Sequence, residues 1–366
     1  MRASDVGDVG PERLLDHQEG GDRVGAAGVS QAPSGDGGRA VWSAVDGAER
    51  PARGRADLRG PRFDAPISSG GYQWHYVDGV SDDADLAVVV IAMVGNPFSP
   101  AYWWRHRRGA TDPLRYSAMN VAIYGRGTSA FSLYERPITA SDRSTTGIGI
   151  GRSAMAWRGD DLVIDLEERT TPLGFPIRGR IVVRPEAAPS TVVQLDPSRL
   201  HQWWPVAPLC HIEVELTQPS LRFRGHGYHD ANAGSVPLEA TFSEWSWSRS
   251  RAGDSALLTY DVQVRSGLSL GHAYRIGRRG DLDVIDGLEK VDLGRSFWGL
   301  RRSARADLGA SIGMRRSLED GPFYSRALVD STMAGRQVVA MHEHLSGERL
   351  TKGWVRYLTR HRMRSE

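Results

Sequence analysis

A chain of 366 residues is long enough for two domains and a sizeable core, and its 46 basic against 44 acidic side chains leave a formal charge of only +2. That balance excludes strong global steering toward nucleic acid, while a pI near 8.7 leaves room for local basic patches. The single cysteine, Cys210, excludes an internal disulfide framework and a multi-cysteine metal site, and it fits a reducing compartment.

Residues 1–61 are rich in Gly, Asp, Arg and Ala, with few aromatic side chains and no sustained period. Such a segment buries too little apolar surface to offset the entropy of ordering it, so a disordered tail is expected. It lacks the apolar stretch of a secretory signal. From Tyr72 the pattern is that of strands: Tyr72, Trp74 and Tyr76 alternate with Gln73, His75 and Val77. Leu86 to Val94 is almost continuously apolar and too short to span a membrane as a helix, which predicts a buried strand. Runs at Ala118–Tyr124, Ser129–Glu135, Ala154–Trp157, Asp161–Leu166, Ile177–Arg184 and His211–Thr217 follow, separated by Gly, Pro and Asp clusters. A second set begins near Thr241, with runs at Ser243–Ser248, Ala256–Val264, Ala273–Ile276, Leu282–Val284, Phe297–Leu300 and Gln337–Ser346. Many short strands with frequent turns predict an all-β protein of barrels or sandwiches.

Two stretches combine aromatic and basic residues. In Tyr102–Arg108, the rings of Trp103 and Trp104 adjoin Arg105, Arg107 and Arg108, which suits an anionic lipid surface. The alternative is an ordinary loop whose rings cover the core; stacking on single-stranded nucleic acid would need a surrounding module that the sequence lacks. Between Glu348 and Arg364 the period turns helical, with Leu350, Trp354, Val355 and Leu358 on one stripe and a basic remainder. A short amphipathic helix is expected, lying in a membrane interface or docked on a barrel.

The stretch with the clearest chemistry is Gly225-His226-Gly227-Tyr228-His229-Asp230-Ala231-Asn232-Ala233-Gly234. In an extended segment Tyr228 and Asp230 share a face with His226 and Asn232. If that face lines a cavity, desolvation holds the Asp230 proton and makes the carboxyl an acid catalyst. Alternatively, Asp230 caps a turn at Ala231–Gly234. His226 and His229 face opposite ways and cannot share a metal without a bulge, and His342 with His344 supplies only two ligands. Gly147–Gly151 lacks the helix and the Lys-Ser/Thr of a nucleotide loop and reads as a hairpin turn.

His201-Gln202-Trp203-Trp204-Pro205, Gly70–Asp78, Gly95–Tyr102, Asn120–Gly125 and Phe242–Ser248 join this stretch in an order and spacing that resemble the carotenoid 1,2-hydratases, also called hydroxyneurosporene synthases. The resemblance runs from about Arg62 to about Arg364. It implies two consecutive lipocalin-like (calycin-type) β-barrels, which we place at 62–240, carrying the site, and 241–366. It also implies cofactor-independent hydration of the terminal double bond of an acyclic carotenoid such as neurosporene or lycopene. On the family pattern Asp230 is the proton donor, accompanied by Tyr228 and Trp203.

Adding water to a trisubstituted alkene requires an acid, aromatic faces to stabilise a tertiary cation, and an oriented water. Asp230 is the expected acid, Trp203 and Tyr228 the expected faces, and Asp230 or His226 the expected base. The implied partners are an acyclic carotenoid, water, an anionic membrane touched peripherally through the two aromatic–basic stretches, and other enzymes of the carotenoid pathway. The implied place is the bacterial cytoplasm at the inner or intracytoplasmic membrane. A non-catalytic isoprenoid carrier, and a terpenoid cyclase or isomerase using the same acid, are the alternatives.

Overall fold

The computed structural model describes residues 60–365. The tail expected over residues 1–61 therefore lies outside the described residues, except for Gly60 and Pro61. The short apolar runs fold into antiparallel strands, and the described residues form two large sheets and one two-stranded ribbon. The middle of the first sheet runs Ser117–Tyr124, Ala87–Val94, Tyr72–Ser81, Ser220–Gly234, His201–Gln218 and Pro176–Ala187, each antiparallel to the next. The two longest of these make one hairpin around Pro219, paired from Thr217 opposite Ser220 to His201 opposite Gly234. The chain then leaves the first sheet, passes one short helical turn at Leu238–Thr241, and begins the second sheet at Phe242–Ala252. That strand lies between Ser255–Val264 and Arg336–Ser346. At the end of the described chain Arg364–Ser365 returns to the first sheet, parallel to Tyr134–Arg136. The result is an all-β fold of two curled, lipocalin-like sheets.

Pleating explains where the core sits. On Tyr72–Ser81 every residue is buried, because both faces are covered. Val77 joins an inner core with Val88, Met119, Ile164 and Val214. Tyr72, Trp74 and Tyr76 point the other way, into a second core with Trp203, Tyr228, Trp245 and Trp247. This second core is shared by both sheets. Gly225 is required by close approach, since a side chain there would strike the Val80 carbonyl of the neighbouring strand.

The predicted buried strand at Leu86–Val94 is Ala87–Val94, and Gly147–Gly151, read as a hairpin turn, is mostly the strand Gly147–Ile150, which pairs with Ser153–Arg158 through a turn at Gly151 and Arg152. Three details differ. Ala231–Gly234 continues its strand instead of turning, so Asp230 caps nothing. Phe297–Leu300 is a turn and not a strand, and it leaves Phe297 90% exposed. The terminal helix runs only over Gly353–Arg362, with Leu350 in a separate turn at Gly347–Leu350. Leu350 and Val355 pack inward, whereas Trp354 faces out.

Two ion pairs among the described residues cross between the large sheets, Arg251 with Glu186 at 2.6 Å and, more deeply buried, Arg249 of the second sheet donating to the Asp78 carboxylate of the first. Removing one member of such a pair strands the other charge, at a cost of about 3–5 kcal/mol, whereas apolar replacement of both is often tolerated. Asp78→Leu is therefore expected to lose that much stability in urea unfolding, and Asp78→Leu with Arg249→Met to recover most of it. Equal stability of the single variant and the parent would mean that the pair does not hold the sheets together.

Candidate active site

The strand Ser220–Gly234 sets Tyr228, Asp230 and Asn232 on the face toward the second sheet. Asp230 is 3% exposed. Its Oδ2 accepts two hydrogen bonds of 2.8 Å each, from the Trp203 indole Nε1 and from the Tyr228 hydroxyl. Its Oδ1 receives only a long contact of 3.4 Å from the Asn232 amide, which is in turn approached at 3.4 Å by the Tyr260 hydroxyl. With Oδ2 already accepting twice, Oδ1 is the oxygen left to carry a proton. Burial pushes the carboxyl from its usual 3.8 up to about 8, with the charges of Glu343 and Asp78 adding to the effect; the donors on Oδ2 pull the other way but do not offset it. The group is a neutral acid at pH 7.

Asp230 lines a cavity of about 440 Å3 enclosed by both sheets. Its walls are rich in aromatic side chains, among them Trp74 and Tyr76 from the first sheet and Trp245, Trp247 and Tyr260 from the second. Tyr76 meets Trp247 edge-on at 5.3 Å. The cavity reaches the surface at Trp298, Leu358, His361 and Arg362. Three further acidic groups line it, Glu319, Asp320 and Glu343, and Glu343 is paired with Arg326 at 2.8 Å.

Trp203 and Tyr228 come together with Asp230 but do not line the cavity. Both are fully buried behind the carboxylate and reach it through their polar atoms. The aromatic side chains that do border the cavity include Trp74, Tyr76, Trp245 and Trp247. His226 shares the Asp230 face but lies four residues back, about 13 Å along the strand, beyond Tyr228 and the register position of Asp78. It borders a separate charged cleft with Asp82, His211 and Arg251, and its ring is 3.7 Å from the Asp82 carboxylate. His226 is therefore no base for chemistry at Asp230.

The two aromatic–basic stretches, remote in sequence, are neighbours. Ser99 caps a short helix, Pro100–His106, whose Trp103 ring is 5.0 Å from the guanidinium groups of both Arg107 and Arg356. Arg108 covers the half-exposed Trp104, and Arg105, Arg107 and Arg108 face outward. Trp354 stacks at 6.4 Å on Trp298, at the cavity rim. Sequence reading missed Trp298 and Glu343, since nothing local marks either one. Trp245 and Trp247 carried a signal, an alternating pair within Phe242–Ser248.

Known proteins match this arrangement closely in sequence. An acyclic carotenoid 1,2-hydratase of Thiocapsa roseopersicina is 39% identical over 333 residues, covering 90% of this chain and 82% of that protein. The protein of the same name from Rubrivivax gelatinosus is 36% identical, over 77% of this chain and 70% of its own. Among solved structures, a Nitrosomonas europaea protein assigned to AttH superposes with a TM-score of 0.53 at 12% identity, covering 77% of this chain and 93% of that one. CghA superposes with a TM-score of 0.50, also at 12% identity, covering 80% and 96%. These two speak to the fold alone. The family profile of Carotenoid hydratase CrtC matches residues 90–365, a span that takes in Asp230, its two donors and every cavity residue named above except Trp74 and Tyr76. The chain belongs to the CrtC family of carotenoid hydratases.

Proposed function

We propose that this chain adds water across the terminal C1–C2 double bond of an acyclic carotenoid, neurosporene or lycopene, giving the 1-hydroxy product. The observation that carries the reading is a buried carboxyl group that accepts two hydrogen bonds on one oxygen and lines a cavity rich in aromatic side chains, where burial pushes its pKa up to about 8. The alkene π electrons take the proton from Oδ1 of Asp230 and form a C–H bond at C2. Charge then rests on C1, where two methyl groups and the chain stabilise it. Trp74, Tyr76, Trp245 and Trp247 present ring faces to that charge, worth about 2 kcal/mol or more for a desolvated contact. Water bonds to C1 and loses a proton, which balances the one delivered. Trp203 and Tyr228 act on the acid itself, because their donors stabilise the carboxylate that remains after proton transfer. Only protons and water enter the scheme, so it calls for no cofactor. A carrier would have no use for the neutral acid.

A substrate dissolved in lipid must reach the rim. No helix among the described residues is long and apolar enough to cross a membrane. Phe297, Trp298, Trp354 and Tyr357 are exposed around or beside the cavity mouth, next to the Trp104–Arg108 face. Peripheral docking of this rim on an anionic membrane accounts for such exposure, at the inner or intracytoplasmic membrane of a bacterium. Supply by another enzyme of the pathway would use the same opening.

For the acid, Asp230→Asn is expected to reduce turnover of lycopene by roughly 100- to 10,000-fold. In the parent, kcat/KM should fall as pH rises through about 8, where Asp230 loses its proton. Tyr228→Phe removes a bond that favours the charged form, so it should move this limb to higher pH and slow turnover on the order of 100-fold. A limb that stays in place, or moves down, would refute the assigned contact.

Folding is linked to the same proton. The unfolded chain releases it near 3.8 and the folded chain near 8, so between these values the folded state binds more protons and stability falls as pH rises. Asp230→Asn has no such loss. Its melting temperature should match the parent below about pH 4, exceed it increasingly up to about pH 8, then stay ahead by a constant margin. A difference independent of pH would mean that Asp230 ionises normally in the folded protein.

Docking is tested by flotation with anionic liposomes. Charge reversal at Arg105, Arg107 and Arg108 is expected to weaken binding chiefly at low salt, and Phe297→Ser with Trp354→Ser at every salt concentration. Protein that never floats would exclude direct docking and leave delivery by a partner enzyme.

A further inference from the structure

We propose that Glu343, fixed by Arg326, holds the attacking water and takes its proton, so that acid and base reach the substrate from opposite sheets. The inference rests on the proposed protonation by Asp230. Glu343 belongs to Arg336–Ser346 in the second sheet, is 5% exposed, and lines the cavity. Its Oε1 accepts from Nε of Arg326 at 2.8 Å. Arg326 is buried as well and is held in turn by the Tyr124 hydroxyl, to which its Nη1 donates at 2.7 Å. Such bracing on both sides fixes the carboxylate with one oxygen left for a ligand.

Two polar groups complete the site. Tyr76 is the register partner of Asp230, and Trp247 is the register partner of Glu343. Both are at least nine-tenths buried and line the cavity, and neither the Tyr76 hydroxyl nor the Trp247 indole nitrogen has a hydrogen-bond partner among the described residues. Buried donors of this kind ordinarily find a partner, and a water between the two carboxyl groups would supply it. The proton charge balances as well. Asp230 gives its proton to C2, the water oxygen bonds to C1, and Glu343 receives the proton that the water loses. Exchange with solvent then reprotonates Asp230 and deprotonates Glu343. Asp230 projects from the first sheet and Glu343 from the second, so a substrate end between them is protonated on one face and hydrated on the other.

Stereochemistry tests this on the unmodified protein. Lycopene labelled with carbon-13 in one terminal methyl of defined geometry is hydrated in heavy water, and the relative configuration at C1 and C2 is read by NMR after derivatisation. The expected product carries deuterium at C2 and the hydroxyl at C1 added anti. Syn addition, or a mixture, would overturn the proposal in favour of water delivered from the Asp230 side. Product without deuterium at C2 would overturn the protonation step beneath it, a different and separable failure. Glu343→Gln, confirmed as folded by circular dichroism, should lower kcat about 100-fold with little change in KM. A folded variant that kept the parent kcat would also overturn the proposal.

Discussion

A lone carboxyl group keeps its proton at neutral pH chiefly where water is kept from solvating the anion, and the architecture around Asp230 meets that constraint. A single half-buried sheet cannot meet it, since one of its faces stays wet. Here the first sheet is covered on both sides. Its inner face closes on an aliphatic core, and its outer face closes on the second sheet through tryptophan and tyrosine. Asp230 sits on that outer face, at the depth where both sheets contribute walls. Burial dominates the two donors on Oδ2, and the carboxyl ends near 8 instead of below its usual value. Those donors matter later, when the group is charged.

Several ion pairs around the shared core join segments far apart in the chain. Arg249 meets Asp78 across the sheets. Arg356 of the terminal helix meets Glu239 of the connecting turn at 2.7 Å, and both side chains are about 94% buried. Arg362 reaches Glu319 at 2.8 Å, beside the cavity mouth. The net stabilisation from such pairs is small, because desolvation cancels most of the attraction, but a misaligned partner leaves a buried charge unpaired. Their effect is therefore to fix which segments meet. The terminal helix is one consequence. It docks inward through Val355, Arg356 and Thr359, and this orients Trp354 and Tyr357 outward beside the rim.

The legible part of the sequence was local. Alternation and turn residues give the strands, and a Tyr-x-Asp spacing on an extended segment puts the phenol and the carboxyl on one face. The hydroxyl and the carboxylate do meet, at 2.8 Å. Trp203 could be attached only through the resemblance, because its contact with Asp230 depends on strand pairing that no short-range pattern encodes. The same limit explains why ring faces were expected from Trp203 and Tyr228. Which aromatic groups face the cavity depends on the docking of the second sheet, and that docking puts Trp247 and Tyr76 in front and leaves the other two behind. His226 failed for a simpler reason. Sharing a face does not mean sharing a site when four residues of extended chain intervene. The turn expected at Ala231–Gly234 failed because pairing with Tyr72–Ser81 continues through Asn232 to Gly234 and overrides the local preference of Asn and Gly.

An ion pair in a cavity built to be apolar looks at first like a contradiction, and magnitudes resolve it. Two opposite charges about 4 Å apart attract by about 4 kcal/mol at an effective dielectric constant of 20, against about 2 kcal/mol for a cation on one ring face. A carboxylate beside the reacting carbon would thus stabilise a tertiary cation more than any single ring of the wall. Before proton transfer the same negative charge acts on Asp230 and helps to keep it protonated. Arg326 tempers both effects, since its guanidinium is shared among Glu343, Tyr124 and Glu319 and stands 5.4 Å from the Tyr324 ring and 6.0 Å from the Tyr76 ring of the wall. A wall of rings alone would desolvate the acid but leave the water without a base. A wall of charges alone would admit solvent and let Asp230 ionise. The mixture found here, aromatic rings with carboxylates braced by arginines, serves both stages.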